Sequence, residues 1–536
     1  MQDIAQTQCF KDFGPYNYIY IDKTQQIYNL LKNRRVFVSR PRRFGKSLML
    51  DTIGTLFEEG VEPSFKGTWI YEKWTDKKYP VLRLNFLGFS CSDFKDFCVD
   101  FDDCLAEFAR LNGLDYTSKD LPKRSAKSLF SSLRLKGVSV VILIDEYDAQ
   151  LTANINDPDM YERYRISLRE LYGVMKGEPC IRFLGVTGVT RLKDVSIFSV
   201  GSDILDMSYE ADVSTITGFT REEIRTYYMD YLNLAVSTDK GIPQEQVTEE
   251  QREKLLDRIS EEYNGYCFDE FYQNKVYSTW SVNGFFQSIA RKRRVMFGDY
   301  WYVNGGLPSI LAKYLETHTL RPEDYSADTN VNIDHFMNPT SLLNMKQKVL
   351  MCQAGYLTVH STVPNGNSVR LGVPNREVRR ALEKRLSLAI FHNEDSARDE
   401  VETIFHQSSA DEIVRYLNSL MNTVSYEDYS NITEKTVQGM LHAFFIGADQ
   451  PVRTEVQSAT GRSDIVLEYE NRRVVFELKY AENEAGCQAQ LREAANQIRT
   501  RRYGDLLPEK DLLQIALVFN GDKAARQFTH YETVTM

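Results

Sequence analysis

The chain has 536 residues, 42% of them hydrophobic, with 65 Lys+Arg against 75 Asp+Glu and a formal net charge of -10. This length implies about two to four domains, and the negative balance excludes whole-molecule attraction to nucleic acid or an anionic membrane. No stretch reaches the ~18 consecutive apolar residues of a spanning helix; with no signal pattern at the N-terminus and eight scattered cysteines that read as buried reduced thiols, a cytoplasmic protein is expected.

In chain order, residues 1-220 alternate helical stretches with the strand candidates "RVFVSR", "YPVLRLNF", "VSVVILIDEYDAQ" and "IRFLGVTGVT". Runs this apolar fit a parallel sheet covered on both faces. Residues 221-395 read as mostly helical, with aromatic-rich loops and a short β element at "GYLTVHSTVPNGNSVRLGV". From 396 to 536 helices precede a hairpin "SDIVLEYENRRVVFELKY", a helix through "CQAQLREAANQIRTRRY" and a strand "LLQIALVFN". The expected architecture is α/β: an N-terminal P-loop NTPase domain with a parallel sheet, a helical connector and a C-terminal α/β domain.

A phosphate-binding loop needs a strand that ends abruptly, a turn whose N–H groups face phosphate oxygens, and a helix N-terminus that completes the anion site. "VFVS", "RPRRFGKS" and "LMLDTIGTLF" supply these in order. Arg42, Arg43, Phe44, Gly45, Lys46, Ser47 and Leu48 are the expected nucleotide contacts, with Lys46 on the β- and γ-phosphates of ATP and Ser47 on Mg2+. Arg40 stands where the generic motif has glycine, a position that favours a backbone angle side chains resist. Asp145, at the end of the apolar strand "VSVVILID", is the expected second Mg2+ partner, and Glu146 the group that polarises the attacking water. Thr187, Thr190 and Arg191, ending the next strand, are candidate γ-phosphate sensors, although strand-end threonines also serve ordinary turns.

The hairpin offers a second candidate. A two-residue turn at Asn471-Arg472 sets Asp464 opposite Lys479 and Val466 opposite Glu477. Alternation then puts Asp464, Glu477 and Lys479 on one face, a hard-oxygen site for Mg2+ with an amine beside it. A cross-strand surface ion pair worth ~0–1 kcal/mol is the plain alternative. The clusters Arg291-Lys292-Arg293-Arg294 and Arg499, Arg501, Arg502 are candidate basic patches for a phosphate backbone.

The segments "FKDFGPYNYIYIDKTQQIYNLL", "RVFVSRPRRFGKSLMLDTIGTLFEEG", "VVILIDEYDAQL" and "GVTRLKDVSIFS" resemble the bacterial AAA-ATPase-like family that carries a C-terminal PD-(D/E)XK nuclease domain. The resemblance continues through "YNGYCF", "YWYVNGGLPS" and "LGVPNREV", and "RPRRFGKS" is the family's form of the loop. "GRSDIVLEYENRRVVFELKY" resembles the superfamily core, with Asp464, Glu477 and Lys479 at its three positions and Ser463 where the superfamily name has proline. Glu434 and Glu455 resemble its additional acidic positions, and Gln497 its polar helix position. The resemblance implies an ATP-binding and ATP-hydrolysing protein with a Mg2+-dependent nuclease acting on nucleic acid, DNA foremost. Homo-oligomers are possible partners, and a membrane is not. The alternative is an ATP-dependent switch whose C-terminal domain binds nucleic acid or protein without cleavage.

Overall fold

The computed structural model describes residues 1–536 except 6, 193–202, 304–309, 311–313, 315–327, 340, 364–366, 392–397, 423, 425–431, 449, 459–460, 502–509 and 535–536. The chain forms two compact units, one of Met1–Thr319 with Asp328–Val378, the other containing Arg379–Met536. Among the described residues, no helix is long and apolar enough to cross a membrane.

The first unit is built on β1 (Arg35–Ser39), β2 (Val81–Asn85), β3 (Val140–Asp145), β4 (Ile181–Gly188) and β5 (Leu205–Asp206), all parallel in the order β2-β3-β4-β1-β5. β1 and β3 are buried at every position, as strands covered on both faces must be. β5 has two residues, too short to leave a hydrophobic pattern, and was absent from the sequence expectation. Because β4 lies between β1 and β3, its carboxyl end stands beside both the strand that leads into the glycine-containing loop and the acidic strand end. Ligands of open parallel sheets bind at these carboxyl ends. The helix Lys46–Glu59 covers the sheet with Ile53, Leu56 and Phe57, and Phe57 stacks on Phe183 of β4 at 5.8 Å.

The helices Arg221–Tyr227, Met229–Lys240, Glu249–Tyr263 and Thr279–Lys292 pack in the same unit. Two start with reciprocal caps, Thr220 with Glu223 and Thr248 with Gln251, each satisfying two backbone donors. Their core of Leu232, Leu256, Phe285 and Phe286 also takes in Ile4, Ile19 and Ile21 from the N-terminal segment. A small hairpin joins β6 (Tyr266–Cys267) and β7 (Lys275–Val276), and β8 (Thr329–Asn332), β9 (Thr358–Thr362) and β10 (Ser368–Gly372) form an antiparallel sheet in the order β8-β10-β9.

The second unit holds a mixed sheet of β11 (Val452–Ser458), β12 (Gly461–Glu468), β13 (Arg472–Ala481), β14 (Asp511–Asn520) and β15 (Gln527–Thr533), in chain order, with β13 and β14 parallel and the other pairs antiparallel. The parallel pair requires a crossover, supplied by the helix Glu484–Arg501, whose Cys487, Leu491, Ala494 and Ile498 pack on Val475, Ala516 and Val518. Phe476 turns the other way, toward Phe405 and Phe445. The sequence expectation had β12, β13 and β14 but not the edge strands β11 and β15, whose segments mix polar and apolar residues.

The hairpin register differs from expectation. Ile465 faces Phe476 and Glu468 faces Arg473, and the Tyr469 N–H donates to Arg472 O at 2.8 Å, so Glu470-Asn471 form the turn. Arg472 belongs to the strand because its guanidinium is drawn inward, donating to His406 O and Ser408 O at 3.0 and 2.9 Å. Asp464 therefore falls in the row of Glu477, not of Lys479. Of the cysteines, none is in a disulfide; Cys9 is exposed, Cys91 and Cys104 are half-buried and the other five are buried.

Candidate active sites

Gly45, at φ 91°, turns the chain from the loop into the helix Lys46–Glu59. Arg40 takes the position of the generic glycine with its guanidinium turned into the protein: it is 1% exposed, donates to Ser39 O and Ser208 O at 2.8 and 2.6 Å, and lies 4.3 Å from the Phe268 ring centroid. Burial lowers its pKa to about 10. Phe44 is also a loop anchor, edge-on to Tyr266 and Phe268.

The loop's carbonyls are occupied from within the protein. Lys46 Nζ donates to Arg40 O and Pro41 O at 3.1 and 3.2 Å, Trp301 Nε1 to Arg42 O, Thr279 Oγ1 to Arg43 O and the Gly218 N–H to Phe44 O. The carbonyls of Arg40 to Phe44 thus all have partners within the protein. Lys46 is 4% exposed and stands 3.5 Å from Glu146 Oε1.

Asp145 is the centre of the polar cluster at the strand ends. Its Oδ2 accepts from Ser47 Oγ at 2.5 Å and its Oδ1 from Thr187 Oγ1 at 2.5 Å. Glu146 sits at φ 50°, a strained angle for a non-glycine residue, and lines the cleft with Arg42, Arg43, Lys46, Ser47 and Leu48. The other two sensor candidates have different partners. Thr190 donates to Asp148 Oδ2 at 2.5 Å, and Arg191 pairs with Asp206. Burial, then the charge of Glu146, raises the Asp148 carboxyl above its ordinary range.

The cleft encloses about 360 Å³ and continues beyond the loop to Phe13, Tyr20 and Ile21 on one side and Phe219, Trp280 and Asn283 on the other. Sequence reasoning did not find these residues. The aromatic run "FGPYNYIY" ahead of β1 was the available signal, but aromatic residues are as common in cores as in ligand sites. Arg43 lies 4.0 Å from the Trp280 ring centroid, tying the loop to the far wall.

In the second unit Asp464 Oδ2 accepts the Leu478 N–H at 2.8 Å. Glu477 is 2% exposed, and Lys479 Nζ lies 3.4 Å from Glu434 Oε1 on the helix Glu434–Gly447. Gln438, one turn further along that helix, donates to Asp464 O at 3.2 Å and was not expected; its only sequence signal is its place four residues after Glu434. Glu455 lies in β11 with its side chain outside the described residues. Gln497 bonds Glu493 of its own helix at 3.4 Å, and Arg499 pairs with Glu532. The Arg501 side chain and Arg502 are outside the described residues, while Arg291 and Lys292 are in the last turn of the helix Thr279–Lys292, Arg293 caps it and Arg294 follows.

Residues 5–198 match the family model described as "Predicted AAA-ATPase", and residues 432–529 match that of the PD-(D/E)XK nuclease superfamily. The chain joins an AAA-ATPase-like domain to a PD-(D/E)XK nuclease-like domain. It is also 27% identical over 507 residues, 91% of this chain and 90% of the relative, to an "Uncharacterized protein in vnfD 5'region" of Azotobacter chroococcum mcd 1. The ATPase-like match contains the phosphate loop, Asp145, Glu146 and Thr187; the nuclease-like match contains Glu434, Asp464, Glu477 and Lys479. Such domains use nucleotide and a divalent metal, and the donors fit both: a hydroxyl beside a carboxylate at Ser47–Asp145, and two carboxylates with an amine in the hairpin.

Proposed function

We propose that the AAA-ATPase-like domain binds and hydrolyses ATP and that the nuclease-like domain cuts phosphodiesters of nucleic acid, DNA foremost, with Mg2+. One observation supports the reading above others: in the first domain Ser47 bonds Asp145 while Lys46 stands by Glu146, and in the second Asp464 accepts the Leu478 N–H, between Glu477 and Lys479 of β13.

In the first, Ser47 and Asp145 would hold Mg2+, which neutralises phosphate charge. Lys46 leaves the carbonyls of Arg40 and Pro41 for the phosphates, and Glu146, released from Lys46, accepts a proton from the attacking water. Thr187 keeps Asp145 oriented. In the second, Asp464 and Glu477 would hold a divalent ion, which offsets the charge developing on the scissile phosphate. Lys479 orients the nucleophile, and Glu434 holds that amine in place.

The test is incubation of the purified chain with plasmid DNA, linear DNA and RNA, with Mg2+ or Mn2+ and with or without ATP. Cleavage that vanishes with chelator and in Glu477→Ala is expected. Tight binding without cleavage under either metal overturns the nuclease half and favours the switch.

A further inference from the structure

We propose that Glu484, Cys487 and His530 form a second cation site, for a borderline-soft divalent ion of the Zn2+ class, distinct from the hard-oxygen acids of the hairpin. Among the described residues they are a group whose ligand atoms all lie within 4.8 Å of one another. A tetrahedral Zn2+ with sulfur, nitrogen and oxygen ligands needs roughly 3.3–3.6 Å between them. Glu484 Oε1 already stands 3.6 Å from His530 Nε2, so the adjustment, about 1 Å at most, is in the approach of these two groups to Cys487 Sγ.

The fold brings the three together by two devices. Glu484 and Cys487 lie three residues apart in the first turn of the helix Glu484–Arg501, on one face. Opposite them, the β14–β15 register slips: Val518 faces His530 and Phe519 faces Phe528, leaving Thr529 as the extra residue. A bulge re-aims side chains, and here Thr529 Oγ1 reaches both Cys487 Sγ at 3.9 Å and His530 Nδ1 at 3.0 Å.

Each donor is oriented by a neighbour, as metal ligands are. With Thr529 on Nδ1, the His530 Nε2 stands 3.6 Å from Glu484 Oε1. Asn520 Nδ2 donates to Glu484 Oε2 at 2.7 Å, leaving Oε1 toward the histidine. Cys487 is 0% exposed, so its sulfur forms the closed floor of the site. An ordinary surface His–Glu pair requires neither a sulfur behind it nor a bulge bringing Thr529 and His530 together. Thiolate and imidazole select Zn2+ and its neighbours over Mg2+. Binding displaces the Cys487 proton to solvent, forms one metal–sulfur bond and leaves a fourth position for water. The ion would clip the last strand to the crossover helix.

The test uses the metal-stripped full chain carrying Asp464→Ala and Glu477→Ala, so that the hairpin acids do not compete. Titration with Co2+ should give a thiolate-to-cobalt charge-transfer absorption saturating at one equivalent, with Zn2+ displacing it and raising the melting temperature. Cys487→Ser should abolish the band, and His530→Gln, at a partly exposed position, should weaken Co2+ binding by at least tenfold. Absence of the band in the starting protein, its persistence in Cys487→Ser, or unchanged Co2+ affinity in folded His530→Gln overturns the proposal.

Discussion

The Ser47 hydroxyl donates to Asp145 Oδ2 at 2.5 Å across 98 residues of sequence, while Thr187 holds the other carboxylate oxygen. The carboxylate is thus fixed by one group from the first turn of the helix Lys46–Glu59 and one from the end of β4, and Lys46 of the same turn stands by Glu146, the next residue along. Separate roles for those two residues give separable variants. Lys46→Ala removes a charged phosphate contact worth about 1.5–3 kcal/mol, hence roughly a 10- to 150-fold loss of ATP affinity. Glu146→Gln retains binding and lowers kcat by about 10²–10⁴-fold. Nucleotide titration with steady-state hydrolysis checks both, and equal hydrolysis by wild type and both variants refutes the assignment.

Arg40→Gly restores the generic loop motif and should harm the protein. Arg40 is a fully buried cation whose partners are the carbonyls of Ser39, Ser208 and Val213 and the Phe268 ring. Removing it strands those acceptors and opens a large void, at a cost of roughly 3–5 kcal/mol. Denaturant unfolding should show an earlier transition, whereas unchanged stability would mean the buried guanidinium contributes nothing net.

Asp464→Ala and Asp464→Asn should both lose cleavage but differ in stability. The side chain accepts the Leu478 N–H, which asparagine can still satisfy through its amide oxygen. Alanine leaves that backbone donor unpaired, costing ~1–3 kcal/mol. Thermal melts of the two variants beside a cleavage assay decide the matter; equal melting temperatures would remove the structural role.

Acid should loosen the helical part of the first unit. Glu253 bonds Arg225 and Arg221, and those hydrogen bonds lower its carboxyl from 4.5 to about 2. A carboxylate depressed on folding gives stability that is complete above the ordinary value and is lost as pH falls from about 4.5 to about 2. The side chain is 31% exposed, so solvent screening limits the contribution to ~1 kcal/mol. Glu253→Gln should be less stable than wild type at neutral pH, and the difference should shrink across that window. A pH-independent gap would contradict this.

The loop and the acidic strand were legible because their signals are local. Apolar runs of strand length are buried on both faces, Gly45 is needed where φ is positive, and Asp145 ends its strand within the same motif. The shared face of the hairpin's candidate residues was legible despite the wrong turn. Moving the turn by one residue slides the register by two, and side chains alternate with a period of two, so Asp464, Glu477 and Lys479 keep a common face while their partners change. Which residues stand across from each other was not local. It depended on Arg472 finding carbonyls at His406 and Ser408, more than sixty positions away.

By itself, the sequence determined the main strands of both sheets, the loop that turns into a helix, and the residue types at both candidate centres, since each is set by neighbours within a few positions. Tertiary structure alone decided that Arg40 is an anchor, that Arg191 pairs with Asp206, that the cleft is completed by Phe13, Phe219 and Trp280, and that Cys487 meets His530. The reason is physical. Such meetings depend on how twisted strands and packed helices bring distant segments together, and no periodicity along the chain encodes that distance.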